Sequence, residues 1–172
     1  MPGVTKHIYE HEIRDMLAMW NMQIKEILMV LPQKYAKEDV IELLKKYYPH
    51  EWMSVVYKYN YYQIKDRYLK KRFGKKRYNM LKPEKLIDSV FLYKKIMSQD
   101  YKNWYFKDFQ KDVQLKNAER LWNRRKDKIE RIDNKIYQAK LKTQQMTPKY
   151  IDELIGLYER KNTSQKDKMY IM

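Results

Sequence analysis

Apolar residues recur every three or four positions along three stretches of this chain. A heptad spacing of this kind keeps one apolar seam of a helix facing its neighbour, as in coiled coils and helical bundles. We therefore predict three long helices that pack along their seams, with polar interruptions at Asp66 and Arg125. The seam positions are Ile13, Leu17, Trp20, Ile24, Ile27 and Leu31, then Trp52, Val55, Tyr59, Tyr62, Asp66, Leu69 and Phe73, then Leu115, Ala118, Trp122, Arg125, Ile129, Ile132, Ile136 and Ala139.

Prolines and a glycine mark the limits of the first three predicted helices. Pro32 is expected to end the first, and residues 35–49 hold a short second helix. The third is predicted from about Glu51 to Arg72 and ends near Gly74.

Later limits follow from Pro83 and Ser98. Pro83 suits the first turn of a fourth helix that reaches about Met97. Ser98 can cap a fifth helix, which we expect to continue to Lys142 with a bend near Lys111.

The C-terminal segment, residues 148–167, has the pattern of two short helices joined by a turn, the arrangement of helix-turn-helix DNA readers. The pattern is loose, and we favour ordinary helical packing as its explanation. We therefore divide the chain into a helical bundle, residues 1–143, and a C-terminal helix pair, residues 144–172. Because Met169, Tyr170 and Ile171 are still apolar, we expect the natural protein to continue beyond them.

Few residues interrupt these patterns. The 172 residues include three glycines and five prolines, and neither type occurs between Glu84 and Thr147. Sheet folds need turn residues far more often. The sequence therefore predicts an all-α protein, an elongated helical bundle with long coiled-coil-like helices and a short C-terminal helix pair.

The absence of cysteine and of long apolar runs bears on where the protein is located. The chain has no cysteine, which excludes disulfides and thiolate metal sites. It has neither an apolar signal core at the N-terminus nor a run of eighteen uncharged apolar residues. We predict a cytoplasmic protein that does not partner a membrane.

The net charge of +16 is concentrated in two stretches. Residues 63–78 hold eight Lys and Arg against one carboxylate, and residues 111–142 hold eleven against five. A surface that is basic merely for solubility would spread its charge more evenly. The distribution therefore indicates local sites for an anionic partner.

One short motif suggests metal chemistry. His7, Glu10 and His11 match the H-x-x-E-H pattern, in which two histidines hold zinc and the glutamate activates water, with an acid such as Glu84 as a third ligand. The motif begins only seven residues into the chain, where little structure precedes it to orient ligands. We expect a polar N-terminal turn, and we predict no metal, no cofactor and no enzymatic activity.

The first basic stretch interleaves cations with aromatic rings and follows Tyr61 and Tyr62. Closely spaced cations match a phosphate backbone, and rings among them can stack on bases. The alternative is that the cations solvate the end of a helix, where positive charge is favourable. The candidate nucleic-acid-binding residues here are Lys65, Arg67, Tyr68, Lys70, Lys71, Arg72, Lys75, Lys76, Arg77 and Tyr78.

The second basic stretch forms a stripe on the predicted fifth helix. Its candidates are Arg120, Arg124, Lys128 and Arg131. Intervening acids, and pairs such as Asp127 with Arg131, equally suit an ordinary charged helix face.

The interpretation we adopt is a non-enzymatic helical protein that grips the phosphate backbone of a nucleic acid, DNA or RNA, mainly through residues 65–77. The alternative is an interaction module or inhibitor that binds an acidic protein, such as a nucleic-acid enzyme. The seams also leave self-association open.

Overall fold

Helices make up nearly all of the chain that the structure describes, and no strand occurs among those residues. The computed structural model describes residues 2–144, with side chains for residues 5–142. The protein is therefore all-α, as predicted. Its α-helices are α1 (Pro2–Ile27), α2 (Lys37–Tyr47), α3 (Pro49–Phe73), α4 (Pro83–Leu86), α5 (Phe91–Ile96), α6 (Gln99–Asp108) and α7 (Lys111–Gln144), and 3-10 turns occupy Leu28–Val30 and Ile87–Ser89.

The first predicted seam forms the centre of the core. Trp20, Ile24 and Ile27 are fully buried on α1, and Leu31 is fully buried just after it. The Trp20 ring lies 5.5 Å from that of Trp52 at the start of α3. Each such side chain removed from water stabilises the fold by about 1.5–3 kcal/mol.

The two helices that follow α1 also bury apolar residues against the core. On α2, Val40, Ile41 and Leu44 are buried. The Asp39 carboxylate accepts the Ala36 N–H at 2.8 Å, which satisfies a backbone donor at the N-terminus of α2. On α3, the predicted seam is buried at its beginning and middle and exposed at its last position, Phe73.

The predicted fourth helix is broken into pieces. Pro83 does open a helix, but α4 ends at Leu86, and the chain passes through a 3-10 turn and the extended residue Val90 before α5. Ile87 and Val90 are both buried, and the Leu92 N–H donates to the Asn21 side chain at 3.0 Å. Buried apolar residues therefore continue across the break between the two helices.

The predicted fifth helix is also divided. The Ser98 hydroxyl caps α6 by accepting the Tyr101 N–H at 3.3 Å, as predicted. Two residues, the extended Phe109 and Gln110, separate α6 from α7 close to the predicted bend.

Side chains of α6 and α7 satisfy the carbonyls that follow α1. The Tyr105 hydroxyl donates to the Leu31 carbonyl at 2.6 Å, and the Gln114 amide donates to the Val30 and Leu31 carbonyls at 3.0 Å. Burial raises the pKa of Tyr105 to about 12, so its hydroxyl remains a donor.

The prediction that α7 buries its heptad seam is wrong for several positions. Leu115, Trp122 and Ile136 are 58%, 41% and 44% exposed, whereas Leu121, beside the seam, is buried. The reason is that polar side chains such as Gln114 and Arg125 also bind α7 to the core, so the apolar spacing alone did not indicate the packed face.

The chain separates into two compact units, residues 1–129 and 130–172. Of the second unit, the structure describes the continuation of α7 up to Gln144. The predicted boundary at residues 143/144 stays a prediction, and the proposed helix pair at 148–167 lies outside the described residues. None of the described helices has a stretch long and apolar enough to cross a bilayer.

Candidate nucleic-acid interface

Helix α3 ends in a tight turn at Gly74. The backbone φ of Gly74 is +77°, and its N–H donates to the Lys70 carbonyl at 2.9 Å. A left-handed residue at this position is the usual end of a helix and favours glycine, which has no Cβ to clash. The turn places Lys75 and Lys76 directly beyond the helix end.

A buried carboxylate holds the chain just after this turn. Asp66 is 2% exposed and accepts three backbone N–H groups: Arg77 at 2.9 Å, Tyr78 at 2.9 Å and Asn79 at 2.7 Å. Three donors compensate the buried charge without a cationic partner. Asp66, the polar interruption of the second seam, therefore fixes the chain just after the Gly74 turn, and the sequence did not predict this role. The available signal was an acid at a core position shortly before a glycine.

The structure places most of the predicted cations of the first basic stretch together on the surface. No ion pair involves them within the described residues. Arg77 differs, because it is half-buried and its guanidinium donates to the Thr5 hydroxyl at 3.1 Å. We call the exposed group the basic corner; it comprises Lys65, Arg67, Lys70, Lys71, Arg72, Lys75 and Lys76.

Part of the basic corner surrounds a shallow open recess. Four of its cations and one amide side chain line this depression, with no carboxylate among them. An anion held there would contact several cations at once. The lining residues are Gln63, Arg67, Lys70, Lys71 and Lys76.

Three exposed rings accompany the cations. The Arg72 guanidinium lies 6.0 Å from the Tyr68 ring centre and 5.3 Å from that of Phe73, and it donates to the Tyr68 hydroxyl at 2.5 Å. The Lys65 ammonium lies 4.7 Å from the Tyr61 ring centre. These rings are 48–65% exposed, so they can meet a ligand together with the cations.

Tyr78 of the basic stretch and Tyr62 just before it belong to the core instead. Tyr78 is buried, and its ring lies 4.7 Å from Tyr62 and 5.2 Å from Tyr9. Tyr62 is also buried, and its hydroxyl donates to Glu12 at 2.5 Å. The inclusion of Tyr78 among the candidate binding residues is therefore corrected, because its ring is not accessible to a base.

The contact between α1 and α3 beside the basic corner combines two lysines with one carboxylate, Glu12. A hydrogen bond with Tyr61 raises the pKa of Lys65. Burial by itself would raise the pKa of Glu12, but hydrogen bonds from Tyr62 and Lys58 and the charges of Lys58 and Lys65 lower it overall. Glu12 forms an ion pair with Lys58 at 3.0 Å, so this lysine lies outside the set of unpaired cations.

Two arginines of the second basic stretch bind other parts of the protein, unlike the cations of the basic corner. Arg124 pairs with Glu26 at 2.6 Å, and neighbouring Arg125 donates to the Tyr47 carbonyl at 2.7 Å and to Glu51 at 3.0 Å. The Arg125 guanidinium also lies 4.3 Å from the Tyr48 ring centre. Of the predicted candidates, Arg120, Lys128 and Arg131 are exposed on α7, and Arg124 is committed to an ion pair.

Comparison with known proteins gives one resemblance. The chain is 28% identical over 171 residues to a protein of Cytobacillus dafuensis named as a candidate cyclic ADP-D-ribose synthase, TIR2. The aligned region covers 99% of this chain and 45% of that protein, so the chain spans less than half of the relative's length. No protein-family model and no solved structure matches the chain.

This resemblance corrects one expectation. The sequence led us to predict that the chain is not an enzyme, and the name of the relative contradicts that prediction. The aligned region contains nearly the whole chain.

The H-x-x-E-H motif lies in the first turns of α1. His7, Glu10 and His11 are all exposed, and His11 lies 3.7 Å from Asp15. Glu84, the suggested third ligand, is exposed on α4. Among the described residues, no three His, Cys, Asp or Glu side chains are grouped so that they could hold a metal ion.

Proposed function

We propose that this chain binds nucleic acid through the basic corner. The observation that carries the proposal is the set of seven exposed cations without carboxylate partners in the described structure, interleaved with exposed rings. Each phosphate neutralised by such a cation releases condensed counterions, which drives binding. The Asp66 contacts and the Gly74 turn support the proposal because they hold the cations at one place.

The test is a titration of fluorescent single- and double-stranded DNA and RNA across a salt series. The variant replaces five cations of the basic corner with glutamine: Lys70, Lys71, Arg72, Lys75 and Lys76. We expect the slope of log affinity against log salt to flatten by several units, since each phosphate contact contributes about −0.9 on duplex and about −0.7 on single strands. The melting temperature should stay within a few degrees of the parent, because all five side chains are exposed.

A matched control removes the same charge from α7. It replaces five exposed cations of that helix with glutamine: Lys111, Lys116, Arg120, Lys126 and Lys128. We expect this control to flatten the slope less than the corner variant. Equal slopes for the two variants would mean that overall charge, not the basic corner, attracts the ligand. Unchanged binding by the corner variant would favour an acidic protein as its partner.

The resemblance to the candidate synthase supports a second proposal. We propose that this chain forms the helical part of a protein that produces cyclic ADP-D-ribose, because the similarity extends along nearly its full length. Incubation of the purified chain with NAD, an ADP-ribosyl dinucleotide, followed by mass spectrometry of the products, tests for this activity. Product made by the 172 residues alone would place the chemistry within them. Product made only by a longer natural protein would assign them a supporting role.

A further inference from the structure

Helix α3 carries a second apolar stripe that faces away from the core. Tyr57, Tyr61, Ile64 and Tyr68 follow one another at steps of 4, 3 and 4 residues and are 66%, 48%, 64% and 55% exposed. At about 100° per residue they share one face, opposite the buried Val55, Tyr62 and Asp66. Apolar spacing of this regularity normally lies inside a protein.

The exposed charges that α3 itself carries beside this stripe all have one sign. Lys65 and Arg72 lie along one edge, and Arg67 and Lys71 lie along the other, as their positions on the helix require. Between Trp52 and Phe73 the sequence contains one carboxylate, Asp66, and it is buried. The exposed face of α3 is therefore a row of three tyrosine rings and Ile64 with cations along both edges.

This arrangement argues against a second copy of the same chain. Two copies joined along the stripe would bring like charges together at both edges, which is unfavourable. The occupant that fits must offer flat apolar groups at its centre and negative charge along its length.

We propose that the stripe binds single-stranded nucleic acid, with bases stacked on Tyr57 and Tyr68 and phosphates on the flanking cations. This inference rests on the proposed function of the basic corner and specifies its ligand. From Tyr57 to Tyr68 the helix rises about 16 Å, which is room for several consecutive bases. A duplex keeps the faces of its bases inside the stack, whereas a single strand exposes them to aromatic side chains.

The test compares a thymidine 20-mer with a duplex of the same length. The ring variant combines Tyr57→Ala with Tyr68→Ala, and Tyr57→Phe with Tyr68→Phe restores stacking without the hydroxyls. Phe91→Ala on α5, which removes a ring that is 78% exposed, is the matched control. We expect the alanine pair to lose at least about tenfold in single-strand affinity, with duplex affinity and salt slope unchanged. The phenylalanine pair and Phe91→Ala should bind like the parent.

Failure of this inference and failure of the proposed function give different results. If the parent binds no nucleic acid with salt-dependent affinity, nucleic-acid binding itself is wrong. If the parent binds but the alanine pair keeps its affinity, or loses single strand and duplex equally, the stripe is not a stacking surface. Preference of the parent for a synthetic acidic amphipathic helix over both oligonucleotides would also overturn the inference. Melting curves that match the parent confirm that the ring variants are folded.

Discussion

Helices α3 and α7 look alike in sequence and behave in opposite ways. Both carry a heptad seam and a dense basic stretch. On α3 the seam packs into the core and the cations face outward without acidic partners in the described structure. On α7 several seam residues are exposed, and Arg124 and Arg125 make the contacts with Glu26 and Glu51. The comparison shows that spacing identifies a face of a helix, whereas neighbouring groups decide whether that face is buried.

The largest expected difference between the two helices is the cost of a charge in each seam. Val55 on α3 is fully buried, so Val55→Asp should lower the free energy of unfolding by several kcal/mol, because it buries a charge without a partner. Leu115 on α7 is 58% exposed, and Leu115→Asp should change the free energy of unfolding by about 0.5 kcal/mol or less. Urea denaturation followed by circular dichroism measures both. Similar losses in the two variants would contradict the comparison.

The next largest effect concerns the carboxylate inside the α3 seam. Asp66→Ala leaves three backbone N–H groups without their acceptor, which should cost about 3 kcal/mol or more. Amide hydrogen exchange at Arg77, Tyr78 and Asn79 should accelerate in the same variant. Asp66→Asn, which keeps one acceptor oxygen, should lie between Asp66→Ala and the parent. Slow exchange at these amides in Asp66→Ala would show that the carboxylate does not hold the turn.

A third prediction compares a cation that stabilises the fold, Arg125, with a cation of the basic corner, Lys71. Arg125→Gln removes the partner of Glu51, whose side chain is 21% exposed, together with the contact to Tyr48. The expected loss is about 2 kcal/mol, less than for a fully buried pair because water still reaches Glu51. Lys71→Gln in the basic corner should change stability by about 0.5 kcal/mol or less. Thermal melts compare the two, and an Arg125→Gln variant as stable as the parent would show that the contacts of Arg125 with Glu51 and Tyr48 do not stabilise the fold.

The smallest expected effect is a pH dependence at the contact between α1 and α3. The pKa of Glu12 is lowered below 4.5 in the folded protein despite its burial, because Tyr62 and Lys58 donate to it. A carboxylate with a lowered pKa stabilises the fold above its unfolded pKa, and this contribution disappears as the pH falls through the folded value. The stability difference between the parent and Glu12→Gln should therefore shrink below about pH 4.5. Exposed Glu10→Gln is the control, and a difference that is constant from pH 6 to 3 would contradict this account.

Local signals predicted much of the fold. Ser98 as a cap, Pro83 at a helix start and Gly74 at a helix end act on their own turns, so the sequence alone located them. The buried side of α1 was also predictable, because its heptad seam is apolar at every position, without a polar interruption. These features depend on neighbours within a few residues.

Other features depend on groups that are distant along the chain. Asn21 receives the Leu92 N–H, and Asp66 receives donors from beyond Gly74. No spacing rule indicates that such segments meet. The sequence predicted the cations of the candidate site. It did not predict that the site excludes Tyr78, because the burial of Tyr78 against Tyr9 is a tertiary contact.

The Asp66 contacts have a consequence for the entropy of binding. A run of lysines and arginines after a helix would ordinarily sample many backbone conformations, and a ligand would have to bear the loss of that freedom. Here the chain is fixed at Arg77, Tyr78 and Asn79 once the protein folds. The backbone ordering is thus completed before any ligand arrives, which leaves more of the interaction free energy for affinity.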